Sequence, residues 1–289
     1  MTESTDAATR SAETGLEIKA PVDAVWSALT EAPEIVRWFA LEADVTPGAG
    51  GSVVWRWADA YRWQTRIEIW EPARRLALTY NQTKNSDHRD LGGPAETAGH
   101  EMVVDFQIAS HAGGTWLRCV HSGFGRDASW DDELEGVRRG WLAELESLRH
   151  YLEHHRGKER RSWWAFVRPS LPAIEAWRAL APRASTGEGL IATDTLGSIQ
   201  LAVPGLEADL MPVRLDPPGD LVARIPAWND AMLRIWCDPQ PGNGSMISLF
   251  LSHYGNRIPQ EEEAARARLL GALTSALGVR VEDATVLEA

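Results

Sequence analysis

The chain has 289 residues and a formal net charge of −12, and 44% of its residues are hydrophobic. This length suits two domains of about 100 to 200 residues, and the composition is that of a globular protein. The negative charge repels phosphate backbones and anionic headgroups, so nucleic acid is not an expected partner. The polar segment 1–15 and the lack of a long apolar run predict neither a signal peptide nor a membrane span, which makes the cytoplasm the expected location.

Tryptophan is the favoured aromatic residue, with 14 Trp against 4 Tyr and 5 Phe. Such large rings either fill two cores or line a ligand cavity, and the composition leaves both interpretations open. The two cysteines, Cys119 and Cys237, lie far apart on strand-like segments. We expect them to be reduced core residues and not a disulfide.

The first half begins with a strand and two short helices. Leu16–Ala20 is predicted to be the strand, and Pro21 begins the first helix because its fixed φ suits a helical N-terminus. Pro33 interrupts this helix and begins a second one over Glu34–Phe39. The two helices are therefore expected to meet at an angle.

Two adjacent segments then alternate apolar and polar residues with the two-residue period of a half-buried strand. Their apolar positions are Val53, Trp55 and Trp57 in the first segment and Tyr61, Trp63, Thr65, Ile67 and Ile69 in the second. Arg66 and Glu68 fall on the opposite face, where a solvated role is expected. The pattern predicts a hairpin on which Trp55, Trp57 and Trp63 point the same way.

A strand meander and a long helix complete this half. After the strand Arg75–Tyr80, the polar segment Asn81–Gly99 is predicted to be a lid or simply disordered. Two further strands precede a helix over Asp131–Arg156, whose apolar residues recur every three or four positions. That stripe consists of Leu134, Val137, Trp141, Leu145, Leu148 and Leu152. We expect this stripe to pack against the apolar face of the tryptophan-bearing strands.

Several short motifs resemble, in order and spacing, the SRPBCC superfamily and within it the branch of activators of the heat-shock-protein-90 ATPase. They are Ile18-Lys19-Ala20-Pro21, Val25-Trp26, Leu29-Thr30, Pro33-Glu34, Arg37-Trp38-Phe39, Gly50-Gly51, Glu68-Ile69, Glu71-Pro72, Leu76, Thr79, His121-Ser122-Gly123-Phe124, Gly140-Trp141, Leu145, Leu148 and Tyr151-Leu152-Glu153. The resemblance covers residues 14–156. It departs at Ala32, an extra residue before Pro33, and at Ala40, which replaces a small turn residue.

This resemblance implies an α+β helix-grip fold of order β-α-α-β6-α, with a curved antiparallel sheet over a long C-terminal helix and a cavity between them. Members of the family bind lipids, hormones or polyketides, and the activator itself contacts a chaperone. Catalysis is not general, and the polyketide cyclases use scattered polar residues in the cavity. Residues 14–156 are accordingly predicted to be one such domain.

Two short residue patterns of the first half recur in the second half. Pro172 and Trp177 repeat the spacing of Pro21 and Trp26, and His253-Tyr254-Gly255 resembles His121-Ser122-Gly123. A helix ending near Leu277 again carries an apolar stripe after an acidic start. We predict a shortened, degenerate second helix-grip domain over residues 160–280, joined by a linker at 158–161. An unrelated α+β domain is the alternative.

Catalytic signatures are weak. His150-Tyr151-Leu152-Glu153-His154 matches a zinc-protease pattern, but we expect both histidines near the solvated helix end and no third ligand. His121 is predicted to lie on the strand face opposite Trp116 and Val120, which favours a structural role over that of a general base. The sequence shows no phosphate loop, nucleophile elbow or Cys-x-x-Cys pair. We therefore predict no catalytic residue, metal or cofactor.

The leading functional hypothesis is non-catalytic binding of a small apolar molecule between the sheet and the last helix of the first domain. Its predicted wall residues are Trp38, Trp55, Trp57, Trp63, Phe106, Trp141 and Leu145. One alternative is an interaction module that contacts a chaperone or another protein. A second alternative is an enzyme similar to a polyketide cyclase or dehydratase, which requires an inward acid or base beside these walls.

Overall fold

The computed structural model describes residues 9–57, 61–81, 101–182, 189–255 and 262–288. The chain divides into two compact units, residues 1–157 and 158–289. Within these described ranges no helix has the length and apolarity needed to cross a membrane. All of the predicted lid segment except Asn81 lies outside them.

The N-terminal unit is an antiparallel sheet of seven strands with three helices. The helices are α1 (Val22–Thr30), α2 (Ala32–Ile35) and α3 (Asp131–His150). The strands are β1 (Arg10–Ile18), β2 (Glu42–Thr46), β3 (Ser52–Trp57), β4 (Tyr61–Glu71), β5 (Arg75–Asn81), β6 (Glu101–His111) and β7 (Gly114–Phe124). Their order across the sheet is β1-β7-β6-β5-β4-β3-β2. This confirms the predicted β-α-α-β6-α helix-grip fold.

The hairpin β3–β4 has the two faces that its alternation predicts. Trp55 lies directly opposite Trp63 in the register of the two strands, and Val53 lies opposite Thr65. Arg62, Gln64, Arg66 and Glu68 are exposed, as expected for the solvent-facing side. Because side chains alternate along a strand, this pairing puts the tryptophans of the hairpin on one side of the sheet.

Helix α3 lies on that side of the sheet. The ring of Trp141 in α3 is 5.3 Å from that of Phe106 in β6 and 6.2 Å from that of Trp63 in β4, measured between centroids. The buried part of its stripe continues through Leu145, Leu148 and Leu152. The N-terminal part, Leu134 and Val137, packs against a small cluster of Met102, Phe124 and Trp130. The expectation that the stripe covers the tryptophan-bearing strands is confirmed.

Several elements differ from the prediction. Strand β1 spans Arg10–Ile18, so it begins six residues earlier and ends two residues earlier than the predicted strand Leu16–Ala20. Helix α2 stops at Ile35, and the chain reaches Phe39 through turns, so the predicted helix Glu34–Phe39 is too long. Helix α3 ends at His150 and widens into a π-type turn over Tyr151–His155. The Tyr151 hydroxyl, which donates to Glu34 and accepts from the Gly157 amide, holds this turn in place. The edge strand β2 was missed because it has five residues and only partial burial.

The C-terminal unit is an antiparallel sheet of eight strands with two helices. The helices are α4 (Ala173–Ala179) and α5 (Glu262–Leu277). The strands are β8 (Arg160–Val167), β9 (Ile191–Thr193), β10 (Ile199–Leu201), β11 (Ala208–Asp216), β12 (Asp220–Ile225), β13 (Ala231–Gln240), β14 (Gly244–Tyr254) and β15 (Thr285–Glu288). Since β8 begins at Arg160, the last two residues of the predicted linker belong to the sheet.

The strand order of this unit repeats that of the first. It reads β15-β8-β14-β13-β12-β11-β10-β9, so the first and last strands of the repeat are again neighbours and the others follow in sequence. The stripe of α5 is buried in the core at Ala265, Leu269, Leu273 and Leu277. Between α4 and β9 the described residues form no second helix, and β15 is an addition at the edge. The chain therefore has tandem helix-grip units, the second one modified.

Candidate functional site

The candidate site of the N-terminal unit is a layer of aromatic rings between the sheet and α3. Phe39, which follows α2, is its centre. Its ring lies 5.3 Å from Trp55, 5.3 Å from Trp57 and 5.8 Å from Trp141, between centroids. Contacts of this kind stabilise by about 0.5–1.5 kcal/mol each beyond the burial of area. The aromatic layer is thus a connected, rigid surface.

All six aromatic residues of the predicted wall belong to this layer. Trp63 extends it from Trp55 at 4.8 Å, and Phe106 extends it from Trp141 at 5.3 Å. Trp38 stacks on Phe39 at 5.0 Å, and its indole N–H donates to the Ala28 carbonyl of α1 over 2.8 Å. The seventh residue, Leu145, is fully buried one turn beyond Trp141. Their role in binding stays a prediction.

Two indole nitrogens of the layer have no hydrogen-bond partner among the described residues. They are Nε1 of Trp55 and Nε1 of Trp63, both shielded from solvent. Leaving a buried N–H unpaired costs about 1–3 kcal/mol, so such groups normally meet a water molecule or a ligand atom. These two donors are therefore the polar groups of the layer whose hydrogen-bonding capacity is unused among the described residues.

His121 of β7 joins the layer as a buried polar residue, 2% exposed. The indole N–H of Trp141 donates to Nδ1 of His121 over 3.0 Å. On the other side of the ring, Nε2 lies 2.9 Å from the hydroxyl oxygen of Tyr80, the penultimate residue of β5. Burial lowers the pKa of His121 from 6.5 to about 3, so the ring is neutral at physiological pH.

The predicted placement of His121 was right about the strand face and wrong about which face is buried. His121 does lie opposite Trp116, but Trp116 is 43% exposed and the His121 face is the inward one. Trp116 suggested an inward face because large apolar side chains are usually buried. Phe39, Tyr80 and His121 were not among the predicted wall residues. The alternation of Leu117, Cys119 and His121 was the signal that could have found the histidine.

The zinc-type pattern of α3 also differs from expectation. His154 is exposed, as expected, but His150 is only 5% exposed. The ring of His155, a residue outside the pattern, lies 4.8 Å from that of His150. Within the described parts of the chain no group of three His, Cys, Asp or Glu side chains has an arrangement that could hold a metal ion. Cys119 and Cys237 are buried free thiols, as predicted.

The C-terminal unit has a cleft of about 260 Å³ beside α5. Small residues of the helix, including Gly271 and Ser275, line one side, and Val203 and Pro204 line the other. The Arg268 guanidinium at its rim donates to the Pro204 carbonyl over 2.9 Å. The cleft lies next to the helix, whereas the space beneath the helix is filled by the apolar core.

His253 occupies the position in the second half that corresponds to His121, but its hydrogen-bond partners are of a different kind. Its Nδ1 is 3.1 Å from the Gly255 carbonyl oxygen and its Nε2 is 3.2 Å from a carboxylate oxygen of Glu262 at the start of α5. Glu262 also pairs with Arg161 and Arg266. This histidine therefore belongs to an ionic cluster at the start of α5.

The fold and the enclosed aromatic layer define the N-terminal unit as a helix-grip domain of the SRPBCC superfamily. Residues 19–153 match the family model described as "Activator of Hsp90 ATPase homolog 1-like protein". The N-terminal unit thus matches this activator-like branch over most of its own length. No curated protein matches the chain.

Solved structures similar to this chain include single-domain and two-domain proteins. Protein MLL2253 from Mesorhizobium loti is 23% identical with a TM-score of 0.42, over 51% of this chain and 99% of its own. DynU16, a putative protein in the dynemicin biosynthetic locus, is 22% identical with a TM-score of 0.41, over 94% of this chain and 97% of its own. The di-domain ARO/CYC BexL from the BE-7585A biosynthetic pathway is 18% identical with a TM-score of 0.41, over 94% and 99%.

Proposed function

We propose that the N-terminal unit binds a small, apolar ring compound against the aromatic layer between the sheet and α3, without transforming it. The observation that carries this proposal is the pair of buried, unpaired indole N–H groups of Trp55 and Trp63 within a continuous layer of rings. The rings offer apolar contacts, and the donors offer the few polar contacts that fix orientation in such sites. A ligand with fused rings matches both features.

The state of His121 supports binding over catalysis. Both of its ring nitrogens already have a partner in the layer, Nδ1 with Trp141 and Nε2 with Tyr80. Its pKa is also held at about 3 by burial. A general base needs a free lone pair and a pKa near the working pH, and His121 has neither. The cyclase alternative therefore lacks its base at this position.

Binding can be tested with the full chain and a panel of two- to four-ring aromatic compounds, by calorimetry and by the shift in melting temperature. We expect at least one member to bind, and the variant Trp63→Phe to weaken it by about 3- to 10-fold through loss of one hydrogen bond. Trp116→Phe is the matched control, because Trp116 lies on the opposite face of the sheet, 43% exposed. If no compound releases heat or raises the melting temperature, the proposal is wrong.

The family match favours a second candidate function, contact with a chaperone of the Hsp90 type. The acidic net charge of −12 would steer the chain toward a basic surface of such a partner. The test is the ATP hydrolysis rate of purified Hsp90 with and without the full chain at low and moderate salt. An unchanged rate and no co-sedimentation would remove this candidate.

A further inference from the structure

Three side chains of the aromatic layer form a hydrogen-bonded chain with a fixed direction. Trp141 contributes only a donor, because an indole has one N–H and no acceptor nitrogen. Nδ1 of His121, 3.0 Å away, must therefore be the acceptor. A neutral imidazole that accepts at Nδ1 carries its hydrogen at Nε2. The donor role of Trp141 thus selects the tautomer of His121.

The selected tautomer in turn decides what Tyr80 can do. Nε2–H of His121 donates to the Tyr80 hydroxyl oxygen over 2.9 Å, so this oxygen is the acceptor in that bond. The Tyr80 hydroxyl hydrogen is then directed away from the imidazole, and no described residue accepts it. Burial, and after it the charge of Glu133, raise the pKa of Tyr80, so the hydroxyl keeps this hydrogen.

A second buried hydrogen-bond donor belongs to a ring next to that of Tyr80. The Tyr80 ring lies 5.1 Å from that of Trp63, whose buried indole N–H has no described partner. Both groups donate, and the Glu133 carboxylate acts on Tyr80 through its charge without accepting the hydroxyl hydrogen. A ligand polar group that only accepts, such as a carbonyl oxygen, suits this pair better than a group that must donate.

We propose that Tyr80 is the specificity-determining residue of the site and that it makes the aromatic layer prefer an apolar ring compound bearing a carbonyl oxygen. This inference rests on the proposed binding function and adds the chemical class of the ligand. Trp141 and His121 act as positioning residues for this hydrogen bond, since their polar groups reach the carbonyl oxygen only through the Tyr80 hydroxyl.

The test compares fluorenone with fluorene, which share a ring skeleton and differ by a carbonyl in place of a methylene. Calorimetry on the full chain should show fluorenone binding about 3- to 10-fold more tightly, the value of one neutral hydrogen bond. The variant Tyr80→Phe should bring this ratio close to one and leave the affinity for fluorene unchanged within about twofold. Trp116→Phe, on the far face, should keep the wild-type ratio.

Infrared spectroscopy of bound fluorenone gives a second, independent readout. A hydrogen bond from Tyr80 lowers the carbonyl stretching frequency in the wild type, and Tyr80→Phe should restore it toward the value in an apolar solvent. If that variant does not fold, the stretch in Trp55→Phe and Trp63→Phe separates Tyr80 from the two indole donors. A lowered stretch that persists in both variants assigns the hydrogen bond to Tyr80, and one that is lost in either variant overturns the assignment.

Each outcome has a distinct meaning. Binding of neither compound contradicts the proposed binding function itself and the present inference with it. Equal binding of both compounds with an unshifted carbonyl stretch leaves the binding function standing and overturns the assignment to Tyr80. A preference for fluorenone that survives in Tyr80→Phe also overturns it.

Discussion

Acidification should destabilise the N-terminal unit through His121. Burial holds the folded-state pKa of His121 at about 3, whereas the histidine of an unfolded chain titrates near 6.5. Below pH 6.5 the histidine of the unfolded state binds a proton, whereas His121 in the folded state stays neutral. The contribution of His121 to the free energy of unfolding is therefore fully present above pH 6.5 and is lost as the pH falls. The loss amounts to about 2 kcal/mol between pH 7 and pH 5, and about 4–5 kcal/mol by pH 3.

The assay is denaturant unfolding of the full chain at pH 7 and pH 5, for the wild type and for His121→Gln. Other titrating groups contribute equally to both proteins, so the difference between their pH effects isolates His121. We expect the wild type to lose about 2 kcal/mol more than the variant on going to pH 5. His111→Gln is the matched control, because His111 is 54% exposed and should show no such difference.

Nuclear magnetic resonance of the chain labelled at the histidine rings tests the cause directly. The His121 signal, identified by its loss in His121→Gln, should stay constant from pH 7.5 to pH 5. A His121 midpoint above pH 5, or equal pH effects in wild type and variant, would refute the reasoning.

Three further outcomes are expected at pH 7. Trp141→Phe removes the donor to Nδ1 of His121 and should lower the free energy of unfolding by about 1–3 kcal/mol, measured in urea. Gly136→Ala should raise it by about 0.5–1 kcal/mol, because an added Cβ in α3 meets no atom within 4 Å. Glu262→Gln should lower the stability of the C-terminal unit by about 1–3 kcal/mol, since it deprives the buried His253 of its charged partner.

Each of these three has a control. Trp116→Phe, at an exposed ring, should change stability by less than about 0.5 kcal/mol. Gly51→Ala should destabilise, because its Cβ would lie 2.0 Å from the Thr46 carbonyl oxygen. Glu282→Gln, which alters an exposed pair with Arg280, should be neutral. Equal effects of a variant and its control would contradict the structural explanation for that variant.

Much of the fold could be predicted from local pattern. Alternation over β3 and β4 assigned Trp55, Trp57 and Trp63 to one face, since the strand period is a property of the backbone. Helical spacing assigned Trp141 and Leu145 to the covering face of α3 for the same kind of reason. The inward-pointing wall of the candidate site was therefore readable from sequence, although its role in binding stays a prediction.

The polar part of the candidate site could not be predicted in this way. Tyr80 and His121 are 41 positions apart, and His121 and Trp141 are 20 apart. Their hydrogen bonds depend on β5, β6 and β7 being neighbours and on the placement of α3 above them. A sequence pattern gives the period of the side chains within one element and the face on which each lies. It does not give the distance between side chains on different elements.

The amino-acid sequence by itself determined the apolar face of the first sheet and the covering face of α3, because side-chain periods act within each segment. It left the second half open between a helix-grip copy and an unrelated α+β domain, which the strand order decided. Only the tertiary structure decided that the face of β7 opposite Trp116 is the buried one, since burial depends on what packs against a strand and not on the strand alone. It also decided the direction of the chain from Trp141 through His121 to Tyr80, because a tautomer is selected by the partners that surround the ring.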